Sequence, residues 1–264
     1  MDLASTPPFG GLKDIAGYIR LTVPDGWRFA AQDDDKRPTD WDVPLDGGRT
    51  ATVKATMIPD GQPRTGSVIA EYVIRHGKRE LRASLTKVLL PSIDKWWIVG
   101  PFDNPEEQGL SKVFPPEEGI DLKAEYEGKG GLKIGWKKAE REIAPGVDLT
   151  ADFAINFHEF FGQEYGDAVA YGLTYLHAPA DMDVVLALGS DDGVAVWLNG
   201  QEVHRNLVNR PYVARQDRVP IHQKTGTHTL LMKINQGGGG WGCGADIETP
   251  DGKPVPEVEA RLTP

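Results

Sequence analysis

The spacing of glycine and proline constrains this chain more than any other feature. Its 31 Gly and 20 Pro make up about a fifth of 264 residues, and they are spread as punctuation rather than gathered into a linker. Proline breaks helix interiors and cannot donate to a sheet ladder, and glycine weakens a helix by about 1 kcal/mol. Between the breaks lie short runs of Val, Ile, Thr, Tyr and Leu, and long segments of 3.6-residue period are nearly absent. That pattern predicts an all-β chain of many short strands. Only Pro105 to Lys112 reads as a turn or two of helix.

Strands are expected at Ala16 to Val23, Thr50 to Ile58, Val68 to His76 and Lys78 to Leu90. Pro24-Asp25-Gly26 turns the chain and swings Trp27 back towards a core, and His76-Gly77-Lys78 reads as a tight hairpin. Leu90-Pro91-Ser92 closes this first unit, because proline cannot continue a ladder. A second unit opens at Trp96-Trp97-Ile98-Val99-Gly100-Pro101-Phe102-Asp103, whose aromatics can anchor a first strand. Shorter runs follow at Gly119-Ile120-Asp121-Leu122, Lys133 to Trp136 and Val147-Asp148-Leu149. The strongest strands are Ala168 to His177, Asp183 to Leu188, Val194 to Leu198, Arg218 to Ile221 and His228 to Ile234. Ser190-Asp191-Asp192-Gly193, Asn199-Gly200 and Lys224-Thr225-Gly226-Thr227 separate them, and Asn-Gly is a strong type I′ hairpin signal.

In the first unit, Leu21-Thr22-Val23-Pro24-Asp25-Gly26-Trp27 is followed by Val43-Pro44-Leu45-Asp46-Gly47-Gly48 leading into Thr50-Ala51-Thr52-Val53. These pieces resemble the Ig-like sandwich found beside catalytic domains in bacterial α-galactosidases and related hydrolases. The likeness covers roughly residues 10 to 92 and departs at the front. There the family has further strand sequence, which Met1 to Gly11 is too short and too rich in Pro and Gly to supply. The expectation is a piece cut from a longer protein.

In the second unit, the phrase from Leu188-Gly189-Ser190-Asp191-Asp192-Gly193 through Trp197-Leu198-Asn199-Gly200-Gln201-Glu202-Val203 is similar to a jelly-roll pattern. It resembles the sugar-binding domain of family 2 glycoside hydrolases and the sandwich domain of anthrax protective antigen. Gly226-Thr227-His228-Thr229-Leu230-Leu231-Met232-Lys233-Ile234 and then Gly240-Trp241-Gly242 match the same type, with His228 where Asn is often found. The expected organisation is therefore two β-sandwich domains, Ig-like over 1–92 and a jelly-roll carbohydrate-binding module over 93–264.

Composition narrows the partners. With 29 basic and 39 acidic residues the net charge is −10, and no dense Lys/Arg run offers the basic face that a nucleic-acid binder needs. No apolar stretch approaches the roughly 20 residues of a membrane helix. Met1 to Gly11 lacks the basic and apolar regions of a signal peptide. The single cysteine, Cys243, excludes an intrachain disulfide and reads as an inert buried thiol. The resemblance implies export, secreted or periplasmic, as part of a larger protein whose catalytic domain is the partner.

Catalytic constellations are missing. Asp191 and Asp192 are adjacent, so they cannot face each other as paired catalytic carboxylates, which come from separate strands. Two readings remain for them: an Asx turn, or a structural Ca²⁺ site, as in some adhesins of the protective-antigen type. No other cofactor is expected. Gly237 to Gly240 is no phosphate loop, since no Lys-Ser or Lys-Thr follows. A glycine tract before Trp241 instead lets a flat ligand approach an aromatic face. A glycan site is therefore expected from Trp241, Asn235, Gln236, Asn209, Arg210 and Asp217, with the indole stacking on a sugar and the polar groups bonding hydroxyls. The competing reading puts Trp241 in the core.

Three functions follow from these residues. The first is a non-catalytic carbohydrate-binding or substrate-positioning region, binding a polysaccharide or oligosaccharide. The second is a ligand-free spacer. The third, an enzyme, would need His158, Glu159 and Asp191 to converge in a cleft.

Overall fold

The computed structural model describes residues 2–5, 15–23, 27–29, 40–44, 51–54, 57–59, 66–90, 93–140, 154–255 and 257–264. The Pro24-Asp25-Gly26 turn, the Gly47-Gly48 turn and the run Val147-Asp148-Leu149 lie outside these. The described residues fall into two compact units, one ending at Leu90 and one beginning at Ile93. Both are built from antiparallel strands, so the chain is all-β. No helix among the described residues is long and apolar enough to cross a membrane.

The first unit contains β1 (Asp2–Ser5), β2 (Ile15–Thr22), β3 (Trp27–Phe29), β4 (Asp40–Pro44), β5 (Ala51–Lys54), β6 (Met57–Pro59), β7 (Gly66–His76) and β8 (Arg79–Leu90). A four-stranded sheet runs β4-β2-β7-β8, and β1-β5 and β3-β6 form separate pairs. Alternation decides its buried face. Ile19 and Leu21 stand opposite Tyr72 and Ala70, so the apolar positions of β2 and β7 share one side. Ile19, Leu21, Val68 and Ala70 are buried on that side and Val73 on the opposite one, and Trp27 and Phe29 are buried as well, which puts Trp27 in the core as its turn predicts. Gly77 holds the β7–β8 hairpin at φ 59°.

The second unit begins with β9 (Lys95–Asp103), a 3-10 turn at Pro105–Leu110 and α1 (Pro115–Glu118). β10 (Glu125–Glu127), β11 (Lys133–Gly135), β12 (Lys137–Glu140), β13 (Ile155–Asn156) and α2 (Phe157–Phe161) follow. The long strands are β14 (Ala168–Ala178), β15 (Met182–Asp191), β16 (Val194–Leu198), β17 (Gln201–Asn206), β18 (Asp217–Gln223), β19 (Gly226–Gln236) and β20 (Gly242–Glu248), with β21 (Glu259–Arg261) last. A seven-stranded sheet runs β12-β9-β14-β19-β16-β17, with β21 also paired to β14. A four-stranded sheet runs β13-β20-β15-β18.

The chain passes repeatedly between these sheets, and the predicted turns are where it crosses. Ser190 to Gly193 carries β15 into β16 of the other sheet, and Lys224-Thr225 carries β18 into β19. Asn199-Gly200 stays within one sheet as the β16–β17 hairpin, with φ of 51° and 79°. Between the sheets lies one core containing Trp96, Ile98, Ala170, Leu176, Leu186, Leu188, Val194, Met232, Ile234, Ala245 and Ile247. Fully burying each large apolar side chain there stabilises by about 1.5–3 kcal/mol.

The outer face of the seven-stranded sheet is covered, a feature on which the sequence is silent. Phe102, Phe114, Ile134 and Trp136 pack with Val169, Tyr171, Leu173 and Leu231 in a second core, under the segment from the 3-10 turn to β11. Gly119 to Leu122 forms no strand, because Asp121 accepts the Lys123 N–H on its side chain at 2.9 Å and the Ala124 N–H on its carbonyl at 3.1 Å. And α2 was not expected. Asn156 caps it by accepting the His158 and Glu159 N–H groups at 3.0 and 3.3 Å.

Candidate functional site

The loops expected to bind do meet at one end of the second unit, and Asp192 gathers them. Its Oδ1 accepts the Arg210 N–H at 3.1 Å and its Oδ2 the Gly237 N–H at 3.0 Å, while its own N–H donates to the Asn235 carbonyl at 3.1 Å. Asp191 beside it accepts the backbone N–H of Tyr212. The Asp-Asp pair thus holds the loop between β17 and β18 at two alternate amides and the glycine tract at a third. Burial raises the Asp191 carboxyl above the usual carboxylate range, and the negative charge of Asp192 raises it further.

Trp241 is core, which corrects the expected stacking platform. It is 3% exposed, and its ring centroid lies 4.9 Å from Phe157 and 5.7 Å from Phe161. Parity is the reason: Trp241 falls in the alternation that turns Cys243, Ala245 and Ile247 inward. The space that glycines were expected to leave for a ligand is already taken at Gly240, where an added Cβ would stand 2.5 Å from Asp191 Oδ2. Asn235 and Gln236 are buried as well. Gln236 donates to the Gly239 carbonyl at 3.0 Å, and the His158 Nε2 bonds the same carbonyl at 2.9 Å. Because His158 Nδ1 accepts the Tyr165 N–H at 3.2 Å, the ring is held in the tautomer that donates from Nε2.

Arg210 and Asp217 are committed to each other. Both Arg210 Nη atoms donate to the Asp217 carboxylate, Nη1 at 3.2 Å, and Nη2 also donates to Ser190 Oγ at 2.8 Å. Asn206 donates to Asp217 Oδ1 at 3.1 Å. Burial alone would raise the Asp217 carboxyl, but the bonds and charge of Arg210, the Asn206 bond and the nearby His204 together outweigh it and hold that group below its ordinary value. Of the six residues expected to bind sugar, only Asn209 is exposed. This end of the molecule is a buried polar lock that shapes a loop. It offers little surface to a ligand.

No group of three or more His, Cys, Asp or Glu side chains among the described residues is placed to hold a metal ion. Both Asp192 oxygens already serve backbone amides. Glu159 is exposed on α2, and its backbone N–H is spent on the Asn156 cap.

A second surface is open instead. On the outward face of the four-stranded sheet, β18 presents Arg218, Pro220 and His222, and β15 presents Ala187, Val185 and Asp183 directly opposite them. β20 adds Glu248 beside Val185 and Asp246 beside Ala187. Asp183, Val185, Arg218, Pro220, His222 and Pro250 line a groove of about 450 Å³, with Val185 and Pro220 as its apolar floor. At one end His222 Nδ1 meets Asp183 Oδ1 at 2.8 Å, and both side chains are exposed. At the other stands Arg218, and outside the groove Glu248 takes Arg218 on one oxygen and Arg215 Nε on the other at 2.8 Å, while Arg215 Nη2 reaches Asp246 at 2.7 Å. The groove thus sets fixed charged groups around an apolar floor. The sequence reading missed it, although Arg218, Pro220 and His222 alternate with the inward Val219 and Ile221.

No protein-family model matches this chain, and no curated protein matches it. Among solved structures, an anti-sigma factor domain-containing protein aligns over 92% of this chain and 77% of its own length, at TM-score 0.36 and 11% identity. An anti-sigma factor domain-containing protein from Clostridium clariflavum aligns over 98% and 83%, at TM-score 0.31 and 12% identity. The GH31 alpha-xylosidase from Xanthomonas citri aligns over 80% of this chain and 29% of its own, at TM-score 0.33 and 8% identity.

Proposed function

We propose that this chain is a non-catalytic accessory region of a larger, exported glycan-active hydrolase, and that it holds a polysaccharide or oligosaccharide on the outward face of its four-stranded sheet. In this reading the first unit is the Ig-like sandwich and the second the jelly-roll module. The catalytic domain of the parent protein acts on the glycan so held. The observation that carries the reading is the groove over Val185 and Pro220, with Asp183, His222 and Arg218 at its margins. A sugar has an apolar C–H face and a rim of hydroxyls. The floor suits the first, and the carboxylate, imidazole and guanidinium suit the second. A shallow groove buries little ligand, so affinity belongs in the micromolar to millimolar range, about 4–8 kcal/mol.

A ligand-free spacer is the second reading, and one observation favours it: Trp241, Asn235 and Gln236 are spent on internal packing. A glycan array and titration calorimetry on the intact chain separate the two. Glycan binding should weaken by about tenfold or more in an Asp183→Ala/His222→Ala double variant, with the melting curve unchanged, since both side chains are exposed. Retention of no glycan at millimolar concentration would leave the spacer. Binding indifferent to the double variant would move the site off this face.

A further inference from the structure

The end strand of a sheet presents a row of unpaired N–H and C=O groups, and proteins usually blunt such edges with short strands, proline or charge. The second unit follows this practice. β18 carries Pro220 at its middle, β13 has 2 residues, and β12 has 4, among them Lys137, Lys138 and Glu140. β8 does not follow it. Among the described residues it is the end strand of β4-β2-β7-β8, and its 12 residues contain neither proline nor glycine.

β8 is also uncovered. Every residue from Arg79 to Thr86 is exposed. Register places Leu81, Ala83 and Leu85 on the side of Ile74, Tyr72 and Ala70, and Glu80, Arg82 and Ser84 on the other. Leu81 is 51% and Leu85 43% exposed. Leu85 continues, across β7 and β2, the row in which Ala70 and Leu21 are buried, and Leu81 lies in the neighbouring row of Ile74 and Gly17. An apolar stripe therefore runs from the core out to an open edge.

We propose that β8 pairs antiparallel with β8 of a second copy of this chain, about a two-fold axis through Leu81, so that two four-stranded sheets become one. Over Arg79 to Ala83, the residues that face each other in that register, the strand is complementary to itself. Leu81 meets its own copy on the apolar side. On the polar side Glu80 stands opposite Arg82 of the partner subunit, and Arg82 opposite Glu80 of the partner subunit. An axis through Glu80 or Arg82 would set each of those charges against itself, and one through Ala83 would set Glu80 against Thr86 and Arg82 against Ser84, leaving both unmatched. Of these four, the Leu81 register alone matches both charges. Glu80 is already held near the strand by Arg75 at 2.8 Å and Arg82 at 2.6 Å, so its carboxylate is in place before the partner arrives.

Sedimentation velocity on the full chain, from low micromolar to near-millimolar concentration, tests this. A reversible dimer is expected. Leu81→Lys and Arg82→Glu should each weaken it by about tenfold or more, and the exchange Glu80→Arg with Arg82→Glu should restore it. All three positions are exposed, and a melting scan on each variant checks that the fold is intact. Hydrogen exchange on the unaltered chain gives an independent reading: β8 amides should gain protection as concentration rises. A monomer at every concentration overturns the proposal, including one that takes up a synthetic strand peptide. So does a dimer indifferent to Leu81→Lys, or one without added protection in β8.

Discussion

The ammonium of Lys233 donates to Oε1 of Glu117 at 2.7 Å, and the lysine side chain has no solvent exposure. The same oxygen accepts the Tyr171 hydroxyl and, at 3.2 Å, the Phe114 N–H, while Lys233 also donates to the Lys112 carbonyl at 2.6 Å. The pair fastens the segment around α1 to the seven-stranded sheet. Removing Glu117 alone strands a buried positive charge. Glu117→Ala should therefore cost about 3–5 kcal/mol in urea unfolding. Lys233→Met combined with Glu117→Ala should cost less than Glu117→Ala alone, and a double variant at least as unstable would deny the charge its role.

Burial pushes the Cys243 thiol up to about 12. In the unfolded chain it ionises near ~8.5, so above that pH the native state holds a proton that the unfolded state has lost. Stability from this group is complete below ~8.5 and falls as pH rises, by up to about 1.4 kcal/mol per pH unit. Denaturant midpoints from pH 8 to about 9, where tyrosines have barely begun to ionise, should fall in the parent chain. They should flatten in Cys243→Ala. Equal slopes in the two proteins would count against it.

Trp241→Ala should destabilise the second unit by about 3–5 kcal/mol, the usual cost of emptying a packed aromatic site. The contacts with Phe157 and Phe161 are what it removes. A variant that melts with the parent would place the indole at the surface after all.

Chelation should leave the melting curve unmoved, because a bound ion would otherwise stabilise the native state by mass action. Asp192→Ala, in contrast, leaves the Arg210 and Gly237 amides without their acceptor and should cost about 2–4 kcal/mol. A melting point that drops in chelator would restore the calcium reading of Asp191 and Asp192.

Local chemistry made much of the fold legible. Asn199-Gly200 specified its hairpin by tolerance of positive φ, and the Val- and Leu-rich runs placed the long strands of the second unit. The helix Phe157–Phe161 was missed because five residues are too few to show a 3.6-residue period, although Asn156 and Gly162 stood as its caps. The Glu117–Lys233 pair was beyond reach, since its partners are 116 residues apart. The site was misplaced for a subtler reason. The glycine tract and Trp241 were read together as a platform, when the alternation of Trp241, Cys243, Ala245 and Ile247 against Gly242, Gly244, Asp246 and Glu248 already said which side the indole would take.

β14 is clasped from both directions along the chain, by β9 before it and by the final strand β21 after it. The Trp97 indole donates to the Leu262 carbonyl at 2.9 Å across 165 residues, and Thr174 Oγ1 to the Arg261 carbonyl at 3.3 Å. A ribosome adding roughly 5–20 residues per second needs roughly 8–33 s to make that span. Throughout that interval the nascent chain carries Trp97 without its acceptor, and from the synthesis of β14 onward it carries that strand without its last neighbour. The second unit is thus finished only after its final strand has been translated.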